Sequence, residues 1–154
     1  MKINECMTRD VCTISPDRTV QEAARVMAAM DIGALPVGDN DRLVGMITDR
    51  DIAVRAMSER MGCDTPVRDV MTRDIKYCFE DEDIAHVASN MGDIQVRRLP
   101  VLDRGKRLVG IVALGDLARL RAGRRTIGDT LCEVSRQGGQ HNQSNLMPTA
   151  RPMQ

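Results

Sequence analysis

Apolar positions along this chain change period in a fixed order. Val20, Ala23, Ala24, Met27 and Met30 recur at helical spacing. Thr19 precedes them and Glu22 sits three residues on, which is the pattern of a capping box. Before this helix, residues 11–14 form a short apolar run that predicts a strand. After it come an apolar run around Pro36, a turn rich in Asp and Asn, and a second run at 43–47. That pair predicts a hairpin, and a second helix opens near Asp49. The unit is therefore strand–helix–strand–strand–helix. The same order then returns: a strand at 75–79, a helix capped by Asp83 that carries Ile84, Val87, Ala88 and Met91, a run around Pro100, a run at 108–112, and a helix near Gly115.

The repetition extends to residue identity. Met7-Thr8-Arg9-Asp10 returns as Met71-Thr72-Arg73-Asp74, and Leu35-Pro36-Val37 as Leu99-Pro100-Val101. One extra residue enters near Gly105. Beyond it, Arg42-Leu43-Val44-Gly45 matches Arg107-Leu108-Val109-Gly110, and Asp51 matches Asp116. Matches in one order with one short gap mark an internal duplication. The reading is an α+β fold of two pseudo-symmetric βαββα repeats, at 3–58 and 67–122, packed sheet to sheet. A polar linker at 59–66 separates them. Residues 123–154 read as a tail with one short helix near 127–134 and disorder beyond.

Composition narrows the function classes. The 154 residues suffice for one compact domain and leave little room for a separate catalytic one. Lys and Arg total 22, as do Asp and Glu, so the net charge is zero and no basic field points to nucleic acid or anionic lipid. No apolar stretch is long enough to span a bilayer, and no signal-peptide core opens the chain. A cytoplasmic protein is expected. The five cysteines are odd in number and form no CxxC pair, so a disulfide framework is not expected. A metal site would need ligands from distant segments, with His86 and His141 the only histidines. The core must be built with almost no aromatics, since Tyr77 and Phe79 are the only ones, and with many methionines.

The duplicated Met-Thr opening, the Leu-Pro-Val strand and the segment Gly45-Met46-Ile47-Thr48-Asp49-Arg50-Asp51-Ile52 together resemble the tandem CBS-domain pair, or Bateman module. The resemblance covers residues 3–121 and extends to small stand-alone members of the hypoxic response protein type. It implies a cleft between the repeats that takes an adenosine compound: AMP, ADP, ATP, S-adenosylmethionine or a cyclic dinucleotide. The family motif Gly-x-hydrophobic-Thr/Ser-x-x-Asp falls on Thr48 and Asp51. The Asp would accept from the ribose hydroxyls and the Thr would bond a ribose or phosphate oxygen. The resemblance also carries Ile14, Gly33, Ala34 and Arg50 to the first cleft, and Asp116 and Arg98 to the second. Family members usually pair into a disc of four repeats, which implies a homodimer.

The residues agree with these roles but admit others. A carboxylate has two acceptor oxygens and suits a vicinal diol. Thr48, Asp49 and Asp51 also read as a helix cap with favourable first-turn charge. The second copy has Ala113 where the motif has Thr or Ser. Losing one hydrogen bond to a charged group costs about 1.5–3 kcal/mol, or about one to two decades in affinity, so the Asp116 site is expected to be weaker, empty or differently occupied. Arg98 offers a planar cation to a phosphate, or simply pairs with a carboxylate. Tyr77 and Phe79 offer rings to a base, or pack in the core. No nucleophile–base constellation stands out, so catalysis is not expected and no cofactor is required. The expected function is a regulatory module. The competing reading is a structural or metal-binding interaction protein with vestigial nucleotide sites.

Overall fold

The structure is a computed structural model that describes residues 1–120 and 124–136. It has the expected α+β architecture of two pseudo-symmetric halves packed sheet to sheet. In the first half, helix α1 spans Val20–Met30. Its capping box is formed: the Thr19 amide donates to Glu22 Oε2 at 2.9 Å, and the Glu22 amide donates to Thr19 Oγ1 at 3.2 Å. Strands β1 (Ala34–Asp39) and β2 (Arg42–Thr48) follow as an antiparallel hairpin. Its two turn residues, Asn40 and Asp41, both take positive φ, at 49° and 63°. That is the requirement of a type I′ turn, and it explains the choice of Asn and Asp. Helix α2 starts at Asp49–Asp51 and widens at once into a π turn over Ile52–Ala56.

The second half repeats this plan. Strand β3 is Cys78–Phe79, helix α3 is Ile84–Asp93, strands β4 (Arg98–Leu102) and β5 (Leu108–Ala113) form the hairpin, and helix α4 is Leu114–Ala118. Asp83 caps α3 by accepting from the Ala85 amide at 2.9 Å. A further helix, α5, spans Arg124–Val134 and lies on α3 and α4. Buried Thr130 donates its hydroxyl to the Ala88 carbonyl at 3.0 Å. The helix expected near 127–134 is thus present and packed. The disorder expected for the rest of the tail lies outside the described residues.

Both opening strands are shorter than the apolar runs suggested. The run at 11–14 makes one parallel bridge, Ile14 to Val37, and Cys78–Phe79 pairs with Val101 and Leu102. Pro16 ends the first run, because proline has no amide to continue a ladder. Residues 76 and 77 are exposed and make no ladder contact.

The halves are tied by an exchange of their opening segments. The Ile3 amide donates to the Glu82 carbonyl at 3.0 Å, and Thr8 and Ile111 exchange both backbone bonds at 2.9 Å. Reciprocally, the Val67 amide donates to the Arg18 carbonyl at 2.8 Å, and Thr72 and Met46 exchange bonds at 2.8 and 3.0 Å. The side chains follow. Ile3 and Met7 are buried in the core of the second half, and Val67, Val70 and Met71 in the core of the first. Ile3 and Val67 are fully buried, and each such burial stabilises by about 1.5–3 kcal/mol. Each core is completed by residues that begin the other repeat.

The crossing segments explain a glycine in each hairpin. A Cβ on Gly45 would fall 3.1 Å from the Thr72 carbonyl oxygen, with the Met71 side chain also in its way. A Cβ on Gly110 would fall 2.9 Å from the Thr8 carbonyl oxygen and 2.6 Å from Met7 Sδ. The second clash is with backbone closer than real contacts allow. Gly110→Ala should therefore destabilise by about 1–3 kcal/mol, and Gly45→Ala by less. Urea unfolding of the two variants checks this ordering, and equal midpoints would contradict it.

Candidate functional site

The motif residues of the first half converge where the hairpin runs into α2. The Thr48 amide donates to Asp51 Oδ2 at 3.0 Å, and the Asp51 amide donates to Thr48 Oγ1 at 3.0 Å. This is a complete capping box, so the helix-cap reading of these residues holds. Thr48 keeps its own hydroxyl proton in this arrangement, because the oxygen only accepts. Asp51 Oδ1 lies 3.6 Å from Arg55 Nη2, one turn on, and Arg55 Nη1 donates to the Val70 carbonyl at 2.9 Å. The Asp51 side chain is 16% exposed, enough for one edge of the carboxylate to be reached from outside.

The strand register places the other first-cleft candidates. Ala34 pairs with Thr48, and the Asp49 amide donates to the Gly33 carbonyl at 3.0 Å. Gly33 and Ala34 therefore line the same end of the hairpin as Thr48 and Asp51. Gly33 is close-packed there: a Cβ would lie 3.1 Å from Asp49 Oδ2. Arg50 is exposed, and its amide donates to Asp49 Oδ1 at 2.7 Å. Ile14 lies on the segment that bridges β1 at Val37. It is buried in the first core, and its amide and carbonyl are both used in bonds to Pro36 and Gly38.

The second half keeps half of this device. The Ala113 amide donates to Asp116 Oδ2 at 2.9 Å, but the Ala113 methyl returns nothing to the Asp116 amide. Arg98 pairs in register with Ala113, and the Leu114 amide donates to the Arg97 carbonyl at 2.9 Å, so the two arginines stand where Gly33 and Ala34 stand in the first half. Arg98 is exposed and makes no ion pair among the described residues.

Other candidate chemistry is distributed elsewhere. Tyr77 and Phe79 meet edge to face, with centroids 5.6 Å apart. Arg104 lies over Phe79 at 4.3 Å, and Lys106 Nζ bonds the Tyr77 hydroxyl at 2.6 Å. The rings are thus engaged with each other and with cations at the hairpin-turn end, away from Asp51. A groove of about 420 Å³ also lies at that end, lined by Asn40, Asp41, Arg42, Asp103 and Arg107 among others. It carries both charge signs and contains none of the motif residues. His86 Nε2 faces Asn90 Nδ2 at 3.2 Å. Among the described residues, no three His, Cys, Asp or Glu side chains converge to hold a metal.

Two cysteines of the second core have raised pKa values. Burial first, and then the Asp116 and Glu5 charges, push the Cys6 thiol above its ordinary pKa. Burial, with Glu82 and Cys6 adding to it, pushes Cys78 up to about 12. Sequence reasoning missed the Cys6–Asp116 proximity and the Arg55 contact. The fourth position after Asp51 was a readable signal for Arg55, since it lies one helical turn on. Cys6 could not be found, because it arrives on the exchanged segment.

Comparisons agree with this architecture. The family described as CBS domain matches residues 3–58 and 67–123. The CBS domain-containing protein YhcV of Bacillus subtilis is 39% identical over 135 residues, which cover 88% of this chain and 96% of YhcV. Inosine-5'-monophosphate dehydrogenase of Methanocaldococcus jannaschii is 42% identical over 121 residues, but these span only 23% of that enzyme. Among solved structures, Hypoxic Response Protein I with two coordinated zinc ions superposes with a TM-score of 0.71 at 36% identity, covering 77% of this chain and 98% of that one. The CBS domain pair of protein MJ0100, in complex with 5'-methylthioadenosine and S-adenosyl-L-methionine, gives 0.70 at 31% identity, with 80% and 98% covered.

Thiol reactivity checks the burial described above. In native protein, Cys63 and Cys132 should react with a maleimide fastest, since both are exposed, and Cys78 should be protected until the protein unfolds. Mass mapping of the labelled cysteines gives the order. Early labelling of Cys78 would contradict the packing of β3.

Proposed function

This chain belongs to the CBS-domain family and carries two copies of its domain, and from that premise we propose that it is a non-catalytic regulatory module for an adenosine-containing ligand. The ligand class is AMP, ADP, ATP, S-adenosylmethionine or a cyclic dinucleotide. It binds between the repeats at the Asp51 end of the first hairpin and shifts the arrangement or the dimeric assembly of the protein in the cytoplasm. A ligand shifts such an equilibrium only by its differential affinity for the two states.

One observation carries the reading. The capping bond occupies one lone pair of Asp51 Oδ2, and Arg55 faces Oδ1. A carboxylate has about four acceptor positions, so each oxygen keeps one, which is what two neighbouring ribose hydroxyls require. The Thr48 hydroxyl adds a donor beside them. Ala34 leaves room against backbone, where a base can be read by amide and carbonyl groups. The adenosine compounds bound to the MJ0100 pair are of the class that this geometry suits. The second cleft lacks the hydroxyl and presents Arg98 and Arg97. We assign it weaker binding of the same class or preference for a more anionic ligand. The match to the dehydrogenase spans only a small part of that enzyme and brings no catalytic assignment.

A thermal-shift panel of AMP, ADP, ATP, S-adenosylmethionine, 5'-methylthioadenosine and cyclic di-AMP tests the proposal. A ligand at 100 times its Kd adds about 2.7 kcal/mol of stability. Asp51→Ala should remove most of the shift, and Asp116→Ala should remove less. No shift with any of the six, or equal loss in the two variants, would sink the reading or its ranking of the sites. Zinc analysis of freshly purified protein addresses the metal-binding reading that the zinc-bound relative suggests.

A further inference from the structure

Arg55 joins two things that the sequence keeps apart. One guanidinium nitrogen faces Asp51 Oδ1 at 3.6 Å, and the other donates to the Val70 carbonyl at 2.9 Å. Val70 belongs to the segment exchanged from the second repeat. It is 1% exposed, it follows the 3-10 turn Val67–Asp69, and it directly precedes the Met71-Thr72 pair that bonds to Met46 on β2. A guanidinium is a rigid fork whose donors hold fixed angles to one another. Arg55 thus bonds the crossing segment and forms a looser ion pair with Asp51, which relates the position of the carboxylate to that of the segment.

Among the described residues the second half shows no such fork. By the repeat, Asp51, Arg55 and Val70 correspond to Asp116, Leu120 and Cys6. Leu120 is apolar and packs against the second core, and Asp116 has no cationic partner among the described residues. The backbone bonds of the exchange are shared, including those of Thr8 with Ile111 and of Thr72 with Met46. The difference between the crossings lies in side-chain links: the exposed Arg68–Asp17 pair, whose equivalent position to Arg68 is Asn4, and Arg55, which alone of the two reaches the motif carboxylate.

We propose that Arg55 is a positioning residue that couples ligand occupancy at Asp51 to the strand exchange holding the two repeats together, and that this coupling exists in the first half only. The inference rests on Asp51 being the ligand contact. Linkage makes the coupling reciprocal: occupancy strengthens the Met46–Thr72 crossing, and an intact crossing strengthens occupancy. Arg55 touches no ligand in this scheme. It fixes the carboxylate that does.

Amide hydrogen exchange separates this inference from the reading beneath it. Met46 and Thr72 report on the first crossing, and Thr8 and Ile111 serve as the control. In ligand-free protein, Arg55→Leu should speed exchange at Met46 and Thr72 by about tenfold or more, from the lost charge-assisted bond to the Val70 carbonyl. Thr8 and Ile111 should change little. Arg55→Lys should recover part of the protection, because it keeps the charge without the fork. Leu120→Arg, which installs the side chain of the first half, should slow exchange at Thr8 and Ile111. With AMP or 5'-methylthioadenosine at saturation, the wild type should gain protection at the first crossing beyond that at the second, and Arg55→Leu should lose this excess even when saturated. Unchanged ligand-free exchange in both Arg55→Leu and Leu120→Arg overturns the proposal, as does an undiminished excess in saturated Arg55→Leu. Failure of all six compounds of the thermal-shift panel to bind the wild type counts against the ligand reading instead, and the ligand-free exchange still decides whether the fork holds the crossing.

Discussion

The reciprocal exchange of the two opening segments is the constraint on which the rest of this molecule depends. A two-stranded hairpin is marginal by itself in water. Here β1 and β2 form such a hairpin, with only the Ile14 bridge beside it. The missing partner comes from the other repeat. Met71 and Thr72 run along β2 on the side that β1 leaves free, and Met7 and Thr8 do the same for β5. The two halves therefore complete each other's cores and share one stability. Gly45 and Gly110 are placed where a side chain would collide with the crossing segment. In the family motif that glycine stands three residues before the Thr or Ser, so part of what looks like a ligand signature is a packing requirement.

The two hairpins share a backbone plan, and most of what distinguishes the halves lies in side chains. Thr48 against Ala113 changes the number of hydrogen bonds in the cap from two to one. Arg55 against Leu120 adds or removes a bond to the crossing segment. Gly33-Ala34 against Arg97-Arg98 changes the wall of the site from small and neutral to large and cationic. The π turn after Asp51 has no counterpart after Asp116. These differences all fall at the same end of the hairpin. The far end holds the turns, the two aromatic rings and a mixed-charge groove.

Much of this was legible in the chain because it is local. The Thr19–Glu22 cap, the Asp83 cap and the positive-φ turn at Asn40 and Asp41 each depend on residues a few positions apart. The duplication was legible because it is a comparison of the chain with itself, and it brought Thr48 and Asp51 forward together. The exchange was not legible. Nothing periodic distinguishes a Met-Thr pair that bonds its own hairpin from one that bonds the other, and the distant pairings of Thr8 with Ile111 and of Met46 with Thr72 leave no local trace. Cys6 near Asp116 and Arg55 on Val70 were hidden for the same reason, since one partner of each contact arrives on an exchanged segment. The opening strands were overestimated because an apolar run shows that a segment is buried, not that its backbone is paired.

The sequence left Thr48 and Asp51 with two readings, helix cap and ligand contact, and the geometry shows that these do not compete. The cap uses the Asp51 amide, the Thr48 amide, one lone pair of the Thr48 oxygen and one of Asp51 Oδ2. The Thr48 hydroxyl proton and a free lone pair on each carboxylate oxygen stay outside it. An uncapped Asp51 would be free to rotate about its side-chain torsions and would lose that freedom on meeting a diol, at a cost in affinity. The bond from the Thr48 amide already restrains it, and Arg55 faces the second oxygen at 3.6 Å. The cap is therefore the condition under which the carboxylate becomes a pre-organised acceptor. In the reading proposed above, Ala113 weakens the second site through the absent hydroxyl, and the Asp116 carboxylate, held like that of Asp51 by one cap bond, has no arginine facing it among the described residues.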